Sequence, residues 1–231
     1  MALALAVSLW IANGGVAMAE DVTTNTEISG DHSSTGYDLK SVNGVNFTVK
    51  ENGKVKYISS DKSGNTITVE SGGSVTGALY GEGIVGGVNN NEITVAGTVN
   101  NRVNGGYSGY NSVSGNHVTV SGEVKDYVYG GRSDYGSQVS DNHVIVTGKV
   151  VTYCAYGGSV SGSGSATGNS VTVNGGTVDD SVYGGATYTG SAINNTVTLH
   201  NATIGGDVYG GYGSSSCVDK KTGNKLILSG A

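Results

Sequence analysis

His117 and His143 are the first places to look for chemistry. Each follows an asparagine and precedes two spaced aliphatic residues, in "NHVTV" and "NHVIV". Glu92 takes the same place in "NEITV". Two imidazoles stacked beside a carboxylate could share a zinc or copper ion. Thr66, Ser170, Thr196 and Lys225 stand at the equivalent places elsewhere, which is what a solvated outer stripe looks like. Asp179-Asp180 is the one adjacent acidic pair in the repeats, and polysaccharide-cleaving enzymes work with clustered carboxylates. Asp126 matches Asp180 in repeat phase but lies two repeats away, and the neighbouring repeats lack matching acids. Cys154 and Cys217 are about two and a half periods apart at different phases. They are expected to be unpaired surface or loop thiols, too distant to bridge if the repeats stack. "GGTVDDSVYGG" lacks the aspartate spacing of calcium-binding β-rolls. "GGSVSGSGSATG" has no following helix to present amides to a phosphate. No residue is assigned a catalytic, cofactor-binding or metal-ligating role, and no cofactor is expected.

What these residues share is a repeat. Asn-x-aliphatic-x-aliphatic recurs from Asn65, Asn91, Asn116, Asn142, Asn169, Asn195 and Asn224, at steps of 26, 25, 26, 27, 26 and 29 residues. A second landmark ends in Tyr-Gly-Gly or a variant of it. It covers Val75–Gly81, Val124–Gly131, Val151–Gly158, Val178–Gly185 and Ile204–Gly211, with Asn104 replacing tyrosine in Val99–Gly106. After it comes a Ser, Gly, Tyr and Asp segment of variable length, read as a loop.

The alternation of Val171 and Val173 with Ser170 and Thr172 is a strand pattern of period two. One such unit cannot bury its apolar face alone, whereas stacked copies can. The expected fold is therefore all-β, a right-handed parallel β-helix with one repeat of about 26 residues per coil. A β-propeller blade needs roughly 40 residues or more, which the period does not supply. Each ladder asparagine shares parity with its two aliphatic neighbours, so it must face the core. The seven asparagines should stack as an amide ladder, and the tyrosines as an aromatic one. The Gly-Gly pair is expected to free the backbone at a corner.

Composition fits such a rod. Of 231 residues 41 are glycine and none is proline, against a usual glycine share of about 7%. The net charge of −6, with no cluster of Lys or Arg, argues against a nucleic-acid partner. Residues 1–19, "MALALAVSLWIANGGVAMA", read as a secretory signal peptide ending in a small-x-small cleavage pattern, although no basic residue precedes the apolar stretch. Residues 20–63 repeat poorly and are expected to form an N-terminal cap of degenerate coils. Residues 64–231 are expected to form about seven coils. The sequence stops just after a core strand at "LILSGA", so the natural chain is expected to continue.

A signal segment followed by "NxVTVxGGxVxxxVYGG" units with Ser/Gly loops resembles the passenger region of bacterial autotransporters. The resemblance covers about residues 20–231. It implies export to the bacterial cell surface, outer membrane or medium through a C-terminal β-barrel, which this sequence does not contain. The expected role is a non-enzymatic, rod-like adhesin or surface scaffold, with a host surface glycan, a matrix protein or itself as partner. Tyr107, Tyr110, Tyr135, Tyr188 and Tyr212 are the expected contact residues. A polysaccharide-active β-helix enzyme and a structural spacer presenting another domain are the alternatives.

Overall fold

The computed structural model describes residues 19–39, 43–77, 82–85, 88–135, 137–148, 150–213 and 222–230. All regular structure among them is β, and every strand pairing is parallel. The chain winds as a β-solenoid of about seven turns, as the repeat predicts. The signal segment, apart from Ala19, and Cys217 lie outside the described residues.

Each full coil opens with a ladder strand such as Glu92–Val95, His117–Val120, His143–Val146 or Ser170–Asn174. A two-residue strand follows, for instance Thr98–Val99 or Thr177–Val178. Next comes a corner strand, Val128–Ser133, Ala155–Val160, Val182–Thr187 or Val208–Gly213. Residues pair with their counterparts one coil on, Val118 with Val144 and Val144 with Val171. Parallel pairing in register turns one inward side chain per coil into a column. Val69, Val95, Val120, Val146 and Val173 form one such column, all fully buried. Val75, Val99, Val124, Val151 and Val178 form another, on the short strands, also fully buried.

The segments expected to be loops after Gly-Gly are partly sheet. Val113–Ser114, Val139–Ser140, Ala166–Thr167 and Ala192–Ile193 stack as a third, four-stranded sheet. Val113, Val139, Val160 and Ala166 bury a small second core there. Residues 20–63 add strands to the same sheets with shorter coils. Phe47 pairs with Thr26 on one side and Ile67 on the other, offsets of 21 and 20 residues.

The asparagine ladder forms from Asn65 to Asn224. Asn65, Asn116, Asn142, Asn169 and Asn195 are fully buried, and Asn91 nearly so. Asn142 shows the pattern. Its backbone N–H and its Nδ2 both donate to Oδ1 of Asn169, at 3.1 and 2.9 Å. Its own Oδ1 accepts the same pair from Asn116, at 3.1 and 2.8 Å. Nδ2 also donates to the carbonyl of Val113 in the third sheet, at 3.3 Å. Every polar atom of the amide has a partner, so its burial carries no desolvation penalty left uncompensated.

The Gly-Gly pair works differently from the expectation. Gly130, Gly131, Gly157 and Gly158 lie within the corner strands, and none of them has a positive φ. They are glycine because the ladder presses on them. A Cβ on Gly158 would sit 2.5 Å from Cγ of Asn169, and one on Gly131 would sit 2.6 Å from Nδ2 of Asn142. Close approach, not conformational freedom, selects the residue.

The left-handed backbone sits elsewhere, on the residue before each ladder asparagine. Gly64, Asn90, Gly115, Asp141, Gly168, Asn194 and Gly223 have φ of 73°, 54°, 68°, 55°, 68°, 55° and 69°. Glycine and Asn/Asp tolerate this region best. The two kinds alternate coil by coil. A Cβ on Gly168 would meet Oδ1 of Asp141 at 2.5 Å, and Cβ atoms on Gly115 and Gly223 would collide with Oδ1 of Asn90 and Asn194. Each Asn/Asp side chain thus occupies the space a side chain on the next coil would need.

Candidate functional site

The outer faces carry columns too, because parity sends every second residue of a strand outward. Glu92, His117, His143 and Ser170 are register partners in that order. The two imidazole rings lie 4.8 Å apart, tilted by 38°. Nδ1 of His143 is 2.7 Å from Oγ of Ser170. Partial burial holds the pKa of His143 below the ordinary histidine value, the neighbouring His117 lowers it further, and Asp141 opposes both. Among the described residues, no group of three or more His, Cys, Asp or Glu is placed to hold a metal ion. The column is a stack with electrostatic tension, and Glu92 does not complete a ligand set.

Asp179 and Asp180 are exposed at the turn before Val182–Thr187. Oδ1 of Asp180 accepts a hydrogen bond from Ser181 Oγ at 3.0 Å. Asp126 is held by Arg102, with Nε to Oδ2 at 3.6 Å. The register puts Tyr153 on the coil between Asp126 and Asp180.

Cys154 lies between two strands and is unpaired, as expected of a loop thiol, but it is not at the surface. It is buried, with 6% of its surface exposed, and its thiol is free. It lies beside Tyr127 and Tyr156, and burial pushes its pKa up. A position between strands can be covered when large neighbours fold over it, which its sequence phase does not reveal.

Tyr129, Tyr156, Tyr183 and Tyr209 form the expected aromatic ladder. Successive ring centroids are 4.9, 4.6 and 5.3 Å apart, with planes within 11°, 4° and 11°. These distances match the coil spacing of about 4.8 Å. Desolvation raises the pKa of Tyr156 and Tyr183, so the phenols stay neutral. A parallel row stands beside it, with Tyr127 stacked on Tyr153 at 5.2 Å. Arg132 lies over the rings of Tyr129 and Tyr107, at 5.5 and 5.6 Å.

The five expected contact tyrosines divide into two groups. Tyr110, Tyr135 and Tyr188 are 76%, 68% and 62% exposed. Tyr110 and Tyr135 stack at 4.9 Å with planes 16° apart. Tyr107 instead donates its hydroxyl to Oδ2 of Asp134 at 2.8 Å. Tyr212 lies within a corner strand and packs edge-on against Tyr209 and Tyr183. The most exposed of the five therefore lie on the loop edge carrying Tyr110, Tyr135 and Tyr188, while Tyr212 keeps 38% of its surface exposed.

Comparison with known proteins finds no match to a family model, to a curated protein or to a solved structure. No helix among the described residues is long and apolar enough to cross a membrane. Sequence reasoning missed the stacked partnership of Tyr110 and Tyr135. Its signal was present in the equal offset from the Gly-Gly pair, since Tyr110 follows Gly106 by four residues and Tyr135 follows Gly131 by four, and these two glycines are register partners.

Proposed function

We propose that this chain is an exported, rod-like passenger that works at a bacterial cell surface as an adhesin or scaffold and performs no catalysis. Export would run through an outer-membrane β-barrel. The observation that carries the reading is the division of labour among side chains. The ladders of valine, asparagine and ring-stacked tyrosine are used up in building the rod. The three most exposed of the described tyrosines, Tyr110, Tyr135 and Tyr188, stand on loop segments of one edge. Tyrosine amid serine and glycine gives large contact area with adaptable hydrogen bonding, the composition of many recognition loops. A host surface glycan or matrix protein is the intended partner, with self-association as a third option.

The test is binding of purified protein to immobilised matrix proteins and to a glycan panel, with sedimentation to detect self-association. A variant carrying Tyr110→Ser, Tyr135→Ser and Tyr188→Ser should fold and should lose most of the binding. If the wild-type protein binds nothing, itself included, or if the triple variant binds equally well, the reading fails.

A further inference from the structure

We propose that Tyr110 and Tyr135 are a preorganised site of oxidative cross-linking, joined by a peroxide-dependent haem peroxidase into an intramolecular dityrosine that staples adjacent coils.

Three observations carry this. The first is proximity: the rings lie 4.9 Å apart and nearly parallel. The second is access, since both are more than two-thirds exposed. A ladder ring such as Tyr129, only 9% exposed, has its faces covered by neighbours. The third is that the two loops are laced together. The N–H of Tyr135 donates to the carbonyl of Gly109 at 2.9 Å, and Asp134 donates to the carbonyl of Ser108 at 3.3 Å. The hydroxyl of Ser137 donates to the carbonyl of Tyr110. Within the first loop, Oγ of Ser108 accepts from the N–H of Asn111 at 2.9 Å. The backbones beneath the two rings are thus tied to each other.

The chemistry balances. Each phenol loses one electron and one proton to become a phenoxyl radical. The two radicals share spin density at the carbons ortho to oxygen, where a carbon–carbon bond forms. The ring protons at those carbons then shift to restore both phenols. Overall, two tyrosines and one hydrogen peroxide give one dityrosine and two waters, with the peroxidase haem passing the electrons. Holding two reactants in contact replaces a bimolecular step by a unimolecular one. Radical pairing within one molecule should therefore outrun pairing between molecules at dilute protein concentration.

The experiment treats the purified full chain with horseradish peroxidase and limiting hydrogen peroxide at several dilute protein concentrations. Monomers separated from oligomers are weighed and their peptides mapped. Monomer should lose the mass of two hydrogens, gain dityrosine fluorescence and yield one linked peptide pair, Tyr110 to Tyr135. The yield of this link should not change with protein concentration. Tyr135→Phe should abolish the monomer product while Tyr188→Phe leaves it intact. The same treatment in concentrated urea should scatter the links over other tyrosines. Links only between molecules, a monomer link at another pair, or an equal Tyr110–Tyr135 yield in urea would each overturn the proposal.

Discussion

Asn169→Ala puts the amide ladder to its hardest test. Oδ1 of Asn169 accepts from the backbone N–H and from Nδ2 of Asn142, at 3.1 and 2.9 Å. Its Nδ2 donates to the carbonyl of Val139 at 2.9 Å and to Oδ1 of Asn195 at 3.0 Å. Truncation removes four hydrogen bonds at a fully buried site. At about 1 kcal/mol net for each, the loss is about 4 kcal/mol. Against a total stability of roughly 5–15 kcal/mol for a domain, that is a large fraction. The assay is equilibrium unfolding in urea followed by circular dichroism, with Thr172→Ala as control. Thr172 faces outward from the same strand, half-buried, and its truncation should cost less than about 1 kcal/mol. A loss below about 1 kcal/mol for Asn169→Ala, or one no larger than the control, would refute the claim that the ladder stabilises the rod through its hydrogen bonds.

Other substitutions separate the remaining forces. Gly158→Ala should destabilise by several kcal/mol because its Cβ meets Asn169, whereas Gly175→Ala, with φ of +70° and open space, should cost about 1–2 kcal/mol from backbone strain alone; equal urea midpoints for the two would contradict the close-approach account. His143 binds its proton less readily folded than unfolded. Its contribution is therefore complete above the unfolded value of about 6.5 and is lost as pH falls from there through the lower folded value. His143→Gln should make stability less sensitive to pH between about 7 and 5, and an unchanged slope would show that another group governs the acid limb. Tyr156→Leu should lower stability by about 2 kcal/mol beyond lost area, from two ring stacks at about 1 kcal/mol each. Thermal unfolding measures it, and an unchanged midpoint would make the aromatic column decorative.

Parity made much of this fold legible. Because Asn169, Val171 and Val173 point the same way, an inward asparagine column followed from strand periodicity alone. The tyrosine column followed from the constant place of Tyr129, Tyr156, Tyr183 and Tyr209 in the repeat. The third sheet did not, because Val139–Ser140 and Ala166–Thr167 are too short to show an alternation. Their trace was positional: Val113, Val139, Ala166 and Ala192 each stand three residues before a ladder asparagine. The role of Gly-Gly was misjudged because glycine has two uses, left-handed backbone and absence of a side chain, and sequence does not say which. Burial of Cys154 depended on how neighbouring tyrosines fold over it, a fact of packing and not of periodicity. Exposure of Tyr110 and Tyr135 was expected; their contact required the coil register.

The alternation of glycine with Asn or Asp before the ladder residue makes the true structural unit two coils rather than one. A coil with Asp141 or Asn194 at that place must be followed by one with glycine, since the carboxylate or carboxamide fills the space above it. Gain or loss of a single coil, the simplest event in a tandem array, would bring two side chains into one space or leave two glycines adjacent. Removing one coil so that Asn90 comes to lie beneath Asp141 should destabilise the rod. Removing two should leave the remaining coils matched. A rod built this way can change length by pairs of coils, so related chains should differ by steps of about 52 residues more readily than by 26.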